Sequence, residues 1–121
     1  MDQVSAELNR DAFWASREKS ANATREIGSE YTAADVEDNH FNVVARFALT
    51  IAVTGQKERA LTIKSQFMAH FHTKQRADER HASRFASSEA KIIFWPYFRQ
   101  LVSDVTSRMH IPPVTIPLTL D

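Results

Sequence analysis

The sequence predicts an α+β domain: an antiparallel sheet comes first, and two helices then pack on one of its faces. Three observations predict it. Two runs of apolar/polar alternation fill the middle of the chain, a short glycine-containing connection joins them, and the helical periodicities follow. At 121 residues the chain suits one domain with one core, residues 1–121. Strands are expected over about 7–74, helices over about 78–109, and an extended tail over 110–121.

In chain order, residues 7–19 (ELNRDAFWASREK) have a short apolar centre at Phe13 and Trp14, read as a first strand. Residues 20–40 are polar and rich in turn formers, with room for a brief second strand around Glu30–Val36. From Phe41 the pattern sharpens. Phe41, Val43, Ala45, Phe47, Leu49, Ile51 and Val53 alternate with a mixed set that includes Val44, Arg46, Ala48 and Ala52. After a turn at residues 55–58, Leu61, Ile63, Phe67, Ala69 and Phe71 share one face and Lys64, Met68, His70 and His72 the other. These two runs make an antiparallel hairpin with one buried face, each arm about 40 Å long at ~3.4 Å per residue.

Residues 78–91 (DERHASRFASSEAK) read as a helix with Asp78 as N-cap and Ala82, Phe85, Ala86 and Ala90 inward. A second helix is expected from near Trp95 to Met109, with Pro96 in its first turn, where a missing N–H does no harm. Trp95, Phe98, Leu101, Val102, Val105 and Met109 fall at the spacing of one buried stripe. Pro112-Pro113 then forces an extended exit, along which Val114, Ile116, Leu118 and Leu120 alternate.

Composition narrows the function. Fifteen basic residues balance fifteen acidic ones, which argues against a nucleic-acid binder or a polybasic membrane binder. Without cysteine there is no disulfide framework, thiolate zinc site or cysteine nucleophile. The opening MDQVSAELNRDAF has no basic region followed by an apolar run, and no window is apolar enough to span a bilayer, so a cytoplasmic protein is expected.

Chemistry-bearing constellations are weak. His70 and His72, two apart on one strand face, could both reach a metal, but the sequence fixes no third ligand; a solvated strand face is the simpler reading, and no metal site is assigned. Arg99 with Asp104, or Glu89 with Lys91, reads as surface ion pairing. Gly28 and Gly55 are the only glycines, too few for a phosphate-cradling loop. Ser87-Ser88 lacks a local base. No catalytic constellation emerges, so an enzyme is not expected.

The stretch Phe94-Trp95-Pro96-Tyr97-Phe98-Arg99, the Leu101–Arg108 run after it, and the Ile111-Pro112-Pro113-Val114-Thr115-Ile116-Pro117-Leu118 exit resemble the C-terminal signature of the SecB family of export chaperones. The WPY form and double proline also resemble the SecB-like chaperones of toxin–antitoxin systems. Upstream, Arg10-Asp11-Ala12-Phe13-Trp14 is similar to that family's first-strand motif, and Glu37-Asp38 through Arg46 to the entry of its third strand.

The resemblance implies a four-stranded antiparallel sheet with helices on one side, assembled as a dimer of dimers. It places the mixed strand face, with Val44, Ala48, Ala52 and Met68, partly in an interface. It implies a holdase that binds unfolded polypeptides in apolar grooves between sheet and helices, without ATP or another cofactor, for export or to shield an antitoxin. Trp14, Phe67, Phe71, Phe94, Trp95 and Phe98 would border such a groove, although most of the last three are expected in the core. In that family, acidic residues on the open sheet face dock the export motor ATPase. Asp11 fits one such position, whereas Lys64 stands where an acid is expected, a reversal of charge. Gln100 replaces a usual Glu, and the sequence ends at Asp121 without the C-terminal helix and Cys/His tail that many members use for the motor. Client holding is therefore expected, and motor docking is not. The alternative is a SecB-like module dedicated to one partner, such as an antitoxin.

Overall fold

Alternation with one apolar face makes the hairpin the centre of the sheet. The computed structural model describes residues 3–17, 23–37, 39–53, 59–73, 78–111 and 114. Its described elements are β1 (Gln3–Leu8), α1 (Arg10–Ser16), β2 (Ala23–Glu37), β3 (His40–Val53), β4 (Leu61–His72), α2 (Glu79–Ser88) and α3 (Ala90–Arg108). The four strands form one antiparallel sheet in the order β1-β4-β3-β2. Phe41 lies opposite Phe71, Ala45 opposite Phe67 and Leu49 opposite Ile63, so the apolar sets of β3 and β4 share a face. The helices cover that face, α2 against β2 and α3 against β3 and β4. The predicted fold class is the observed one.

Three expectations about individual elements need correction. The first strand is not centred on Phe13 and Trp14: β1 ends at Leu8, and these two residues belong to α1. The Asn9 side chain accepts a hydrogen bond from the Ala12 N–H at 3.0 Å, and the Phe13 N–H donates to the Asn9 carbonyl at 2.9 Å. That cap starts a helical turn, which buries Ala12 and Phe13 while leaving Trp14 exposed.

The second strand is longer than expected, running from Ala23 to Glu37. It is an edge strand, and only every second residue near its middle is half-buried, Ile27, Ser29, Tyr31 and Ala33. Its regular register ends in an irregularity between Ala34 and Glu37, where Asp35 adopts a positive φ of 52°.

The last helix begins at Ala90, so Pro96 lies in its interior rather than its first turn. The buried positions Ala90, Phe94, Phe98, Val102 and Thr106 recur every four residues and carry the helix through the proline. Burying Phe94, Trp95 and Phe98, at about 1.5–3 kcal/mol each, outweighs the roughly 3 kcal/mol of an interior proline. The carbonyl deprived of its partner belongs to Ile92, an exposed residue, so water can reach that side of the helix.

Both helix termini are built as their residues allow. Asp78 caps α2 through the His81 N–H at 2.8 Å, as expected. α3 closes before the prolines: His110, at φ 57°, donates its N–H to the Ser107 carbonyl and Ile111 donates to the Thr106 carbonyl. Arg10 adds a hydrogen bond to the Met109 carbonyl at 2.9 Å, which ties α1 to the end of α3. Val114 is buried, its N–H 3.4 Å from the Thr106 hydroxyl. The expected turn at 55–58 and the tail beyond Val114 lie outside the described residues.

Candidate functional site

An aromatic seam joins the sheet to the helices. At its centre is Phe47 of β3, whose ring stacks on Phe98 with centroids 4.6 Å apart. Tyr31, Phe67 and Trp95 surround it at 5.7, 6.0 and 6.1 Å. Phe94 meets Tyr31 at 6.5 Å. A second cluster lies further along the hairpin, where Phe71 contacts Phe41 at 5.8 Å and Phe85 of α2 at 4.7 Å.

Of the six aromatic residues expected at a groove, the seam therefore gathers Phe67, Phe94, Trp95 and Phe98, and Phe71 sits in the neighbouring cluster. Trp14 stands apart from both: its described ring contact is with Phe13, and half its surface is exposed. Phe94, Trp95 and Phe98 are buried, whereas Phe67 and Phe71 are half-buried. The half-buried rings of the seam are thus Phe67 on β4 and Tyr31 on β2, with Phe71 and Phe85 half-buried in the second cluster. Sequence reading missed Tyr31. It lies on the poorly patterned edge strand, and only its pairing opposite Ala45 turns it toward the helices.

Tyr31 also carries an unmet polar group. Its hydroxyl is buried with no described partner in hydrogen-bonding geometry. Burial pushes its pKa up, against a weaker opposing pull from the Ser29 side chain. The buried Ser65 hydroxyl, on the same sheet face, likewise lacks a described partner. A further apolar patch lies on the outer side of α3, where Ile92, Ile93 and Tyr97 are exposed.

The opposite sheet face is open and holds a shallow trough of about 810 Å³ across all four strands. Its middle row is Ser5, Lys64, Ala48 and Gly28, so small side chains flank the lysine. Next to it Arg46 donates to the Gln66 side chain at 3.1 Å. Lys64 is on this face as expected. Asp11 is not on a strand; it is exposed on α1, so the two expected docking residues do not share an element.

His70 and His72 stand at one end of the open face, where register brings His40 opposite His72. Among the described residues, no group of three or more His, Asp or Glu side chains could hold a metal ion. No described helix is long and apolar enough to cross a membrane.

Comparison with known proteins agrees with this architecture. The family model described as preprotein translocase subunit SecB matches residues 4–118. The structure is similar to a SecB-like chaperone of Mycobacterium tuberculosis solved in complex with a ChAD peptide from an antitoxin. The TM-score is 0.73 at 21% identity, over 95% of this chain and 82% of that one. A protein of unknown function from Streptococcus agalactiae aligns with a TM-score of 0.48 at 16% identity, over 97% of this chain and 93% of that one. No curated protein matches.

Proposed function

The chain belongs to the SecB family, and from that premise we propose that it is an ATP-independent holdase for unfolded polypeptides. Clients would lie along the junction of sheet and helices, held by apolar contact without chemistry or cofactor. The observation that carries this reading is the half-buried aromatic edge: Phe67 and Phe71 of β4 and Phe85 of α2 pack against the buried core yet keep accessible surface. A rigid core backing a partly exposed ring preorganises an apolar contact, so a client's side chains meet fixed aromatic surface. Assembly as a dimer of dimers and work in the cytoplasm belong to the same proposal.

The test is suppression of aggregation of a chemically denatured client, followed by light scattering without nucleotide. The unmodified chain is expected to suppress it, and Phe67→Ser with Phe71→Ser to weaken the effect several-fold while the fold persists. Equal protection by the double variant would remove these residues from the site. No protection by the unmodified chain would reject the holdase reading.

A second reading is favoured by one observation, the antitoxin peptide bound to the Mycobacterium chaperone. In it, this chain serves one dedicated partner such as an antitoxin. A toxin–antitoxin pair beside the gene, and tight binding of that antitoxin's peptide with no protection of unrelated clients, would select this reading over the first.

A further inference from the structure

We propose that the open sheet face docks an extended, acidic segment of a partner protein, two carboxylates of which pair with Lys64 and Arg46. Both side chains are exposed on the inner strands β4 and β3, and neither is in an ion pair among the described residues. Arg46 donates one N–H to the neutral Gln66 side chain, which leaves the rest of its planar fork for a carboxylate. Two uncompensated cations thus stand at the centre of the face.

Their spacing suits an extended ligand. Lys64 lies opposite Ala48 and Gln66 opposite Arg46, so the two cations are diagonal neighbours across β3 and β4. Such positions are about 7–8 Å apart. Carboxylates two residues apart on an extended chain point to one side at about 6.6–6.8 Å. An acidic pair with one residue between its members therefore reaches both cations at once.

The floor between them lets a partner backbone come close. Ser5, Ala48 and Gly28 share one row with Lys64 across the trough of about 810 Å³. Gly28 lies in mid-strand, in regular register opposite Ala48, and a Cβ added there would meet nothing within 4 Å. Among the described residues, neither a bulge, a left-handed φ nor a close contact calls for glycine at this position, although glycine weakens a strand. Close approach of another chain is the remaining reason for a glycine inside a strand.

The outer strands set which anion fits. Glu7 on β1 and Glu26 and Glu30 on β2 lie on the same face, with Glu30 opposite Arg46. These acidic margins repel a uniformly anionic chain such as a nucleic acid. A segment with one carboxylate pair in neutral surroundings meets the positive centre and avoids the margins. This face is opposite the one that the helices cover, so the proposal is independent of the holdase reading.

The experiment titrates the full chain into a labelled peptide of Thr and Gln with a central Glu-Thr-Glu, followed by fluorescence anisotropy at low and high salt. Peptides with Gln-Thr-Gln or Lys-Thr-Lys at the centre, and a single-stranded oligonucleotide, are the comparisons. Saturable binding of the acidic peptide is expected at low salt, about 10-fold or more tighter than the comparisons, and weaker at high salt because exposed charges are screened. Lys64→Glu with Arg46→Glu should remove the preference and leave suppression of client aggregation unchanged. Gly28→Tyr places a ring over the floor without a clash in the chain, and should weaken binding by about 10-fold while the urea midpoint stays the same or rises. Phe67→Ser with Phe71→Ser should leave peptide binding unchanged; a parallel loss would place the peptide in the client groove and overturn the proposal. No saturable binding, equal binding of the Gln-Thr-Gln peptide, tighter binding of the oligonucleotide, or indifference to the Lys64 and Arg46 variants overturns it too. So does a lower oligomeric state of Gly28→Tyr, which would make a second copy of this chain the occupant.

Discussion

Phe47 of β3 and Phe98 of α3 stack with ring planes within 9° of each other, and this contact joins the sheet to the long helix. Each ring is buried, and Trp95 meets both, at 6.1 Å from Phe47 and 5.9 Å from Phe98. Trp95 is only 3% exposed, so it is a core side chain in this chain. Trp95→Ala is therefore expected to lower stability by about 3–5 kcal/mol, the range for removing a large buried aromatic. Urea denaturation measures it. An unchanged midpoint together with weaker client binding would instead make Trp95 a groove residue.

The parts of this fold that were legible in the sequence are those with a long, one-sided pattern. β3 and β4 alternate because one face packs against the helices, and α2 carries its own N-cap. β2 was legible only over its second half. As an edge strand its inward residues are only half-buried, so Ile27, Ser29 and Tyr31 need not be strongly apolar. α1 was misread because seven residues hold too few turns for a helical period, and adjacent Phe13 and Trp14 imitate a strand centre. Pro96 hid the true start of α3, since a tertiary stripe of buried side chains overrode the local rule. His40 escaped notice because its meeting with His70 and His72 exists only in the strand register. Continuing the hairpin pairing outward from the turn at 55–58 would have found it.

His110 offers a test of backbone strain. It occupies the left-handed position that closes α3, with φ 57° and an exposed side chain. A non-glycine residue there costs roughly 1–2 kcal/mol, and glycine adds about 0.5–1 kcal/mol of unfolded-state freedom. His110→Gly is expected to raise stability by up to about 1 kcal/mol in urea denaturation. A loss of stability would mean that the imidazole makes a contribution beyond the turn.

Acid sensitivity should report the cap of α2. The His81 backbone N–H, followed by the nearby charges of His81 and Arg80, holds the Asp78 carboxyl below its ordinary pKa. A lowered folded pKa contributes stability that is complete above the unfolded carboxylate value and is lost as pH falls through the folded one. Asp78→Asn keeps a capping oxygen but does not titrate. The variant should therefore show a shallower loss of stability below the ordinary carboxylate pKa than the unmodified chain. Identical acid limbs in thermal melts would show that the cap does not contribute to acid sensitivity.

The open face makes the sharpest statement about export. Lys64 is exposed near the middle of the trough, flanked in register by Ser5 and Ala48, and has no ion-pair partner among the described residues. Arg46 adds a second cation one row away, bonded to the neutral Gln66 rather than to an acid. If the export motor ATPase approaches this face through basic groups, as the family resemblance implies, it meets positive charge where a negative one is needed. A like charge placed in an interface can cost several kcal/mol, and such contacts chiefly set on-rate and specificity. Weak or absent motor binding is therefore expected, with client holding unaffected. Lys64→Glu should strengthen motor binding, and the gain should be larger at low salt, because an exposed charge is screened within a Debye length. Titration of the motor at two ionic strengths checks this for both chains. Tight, salt-sensitive binding by the unmodified chain would show that Lys64 does not oppose docking and would favour a role in export.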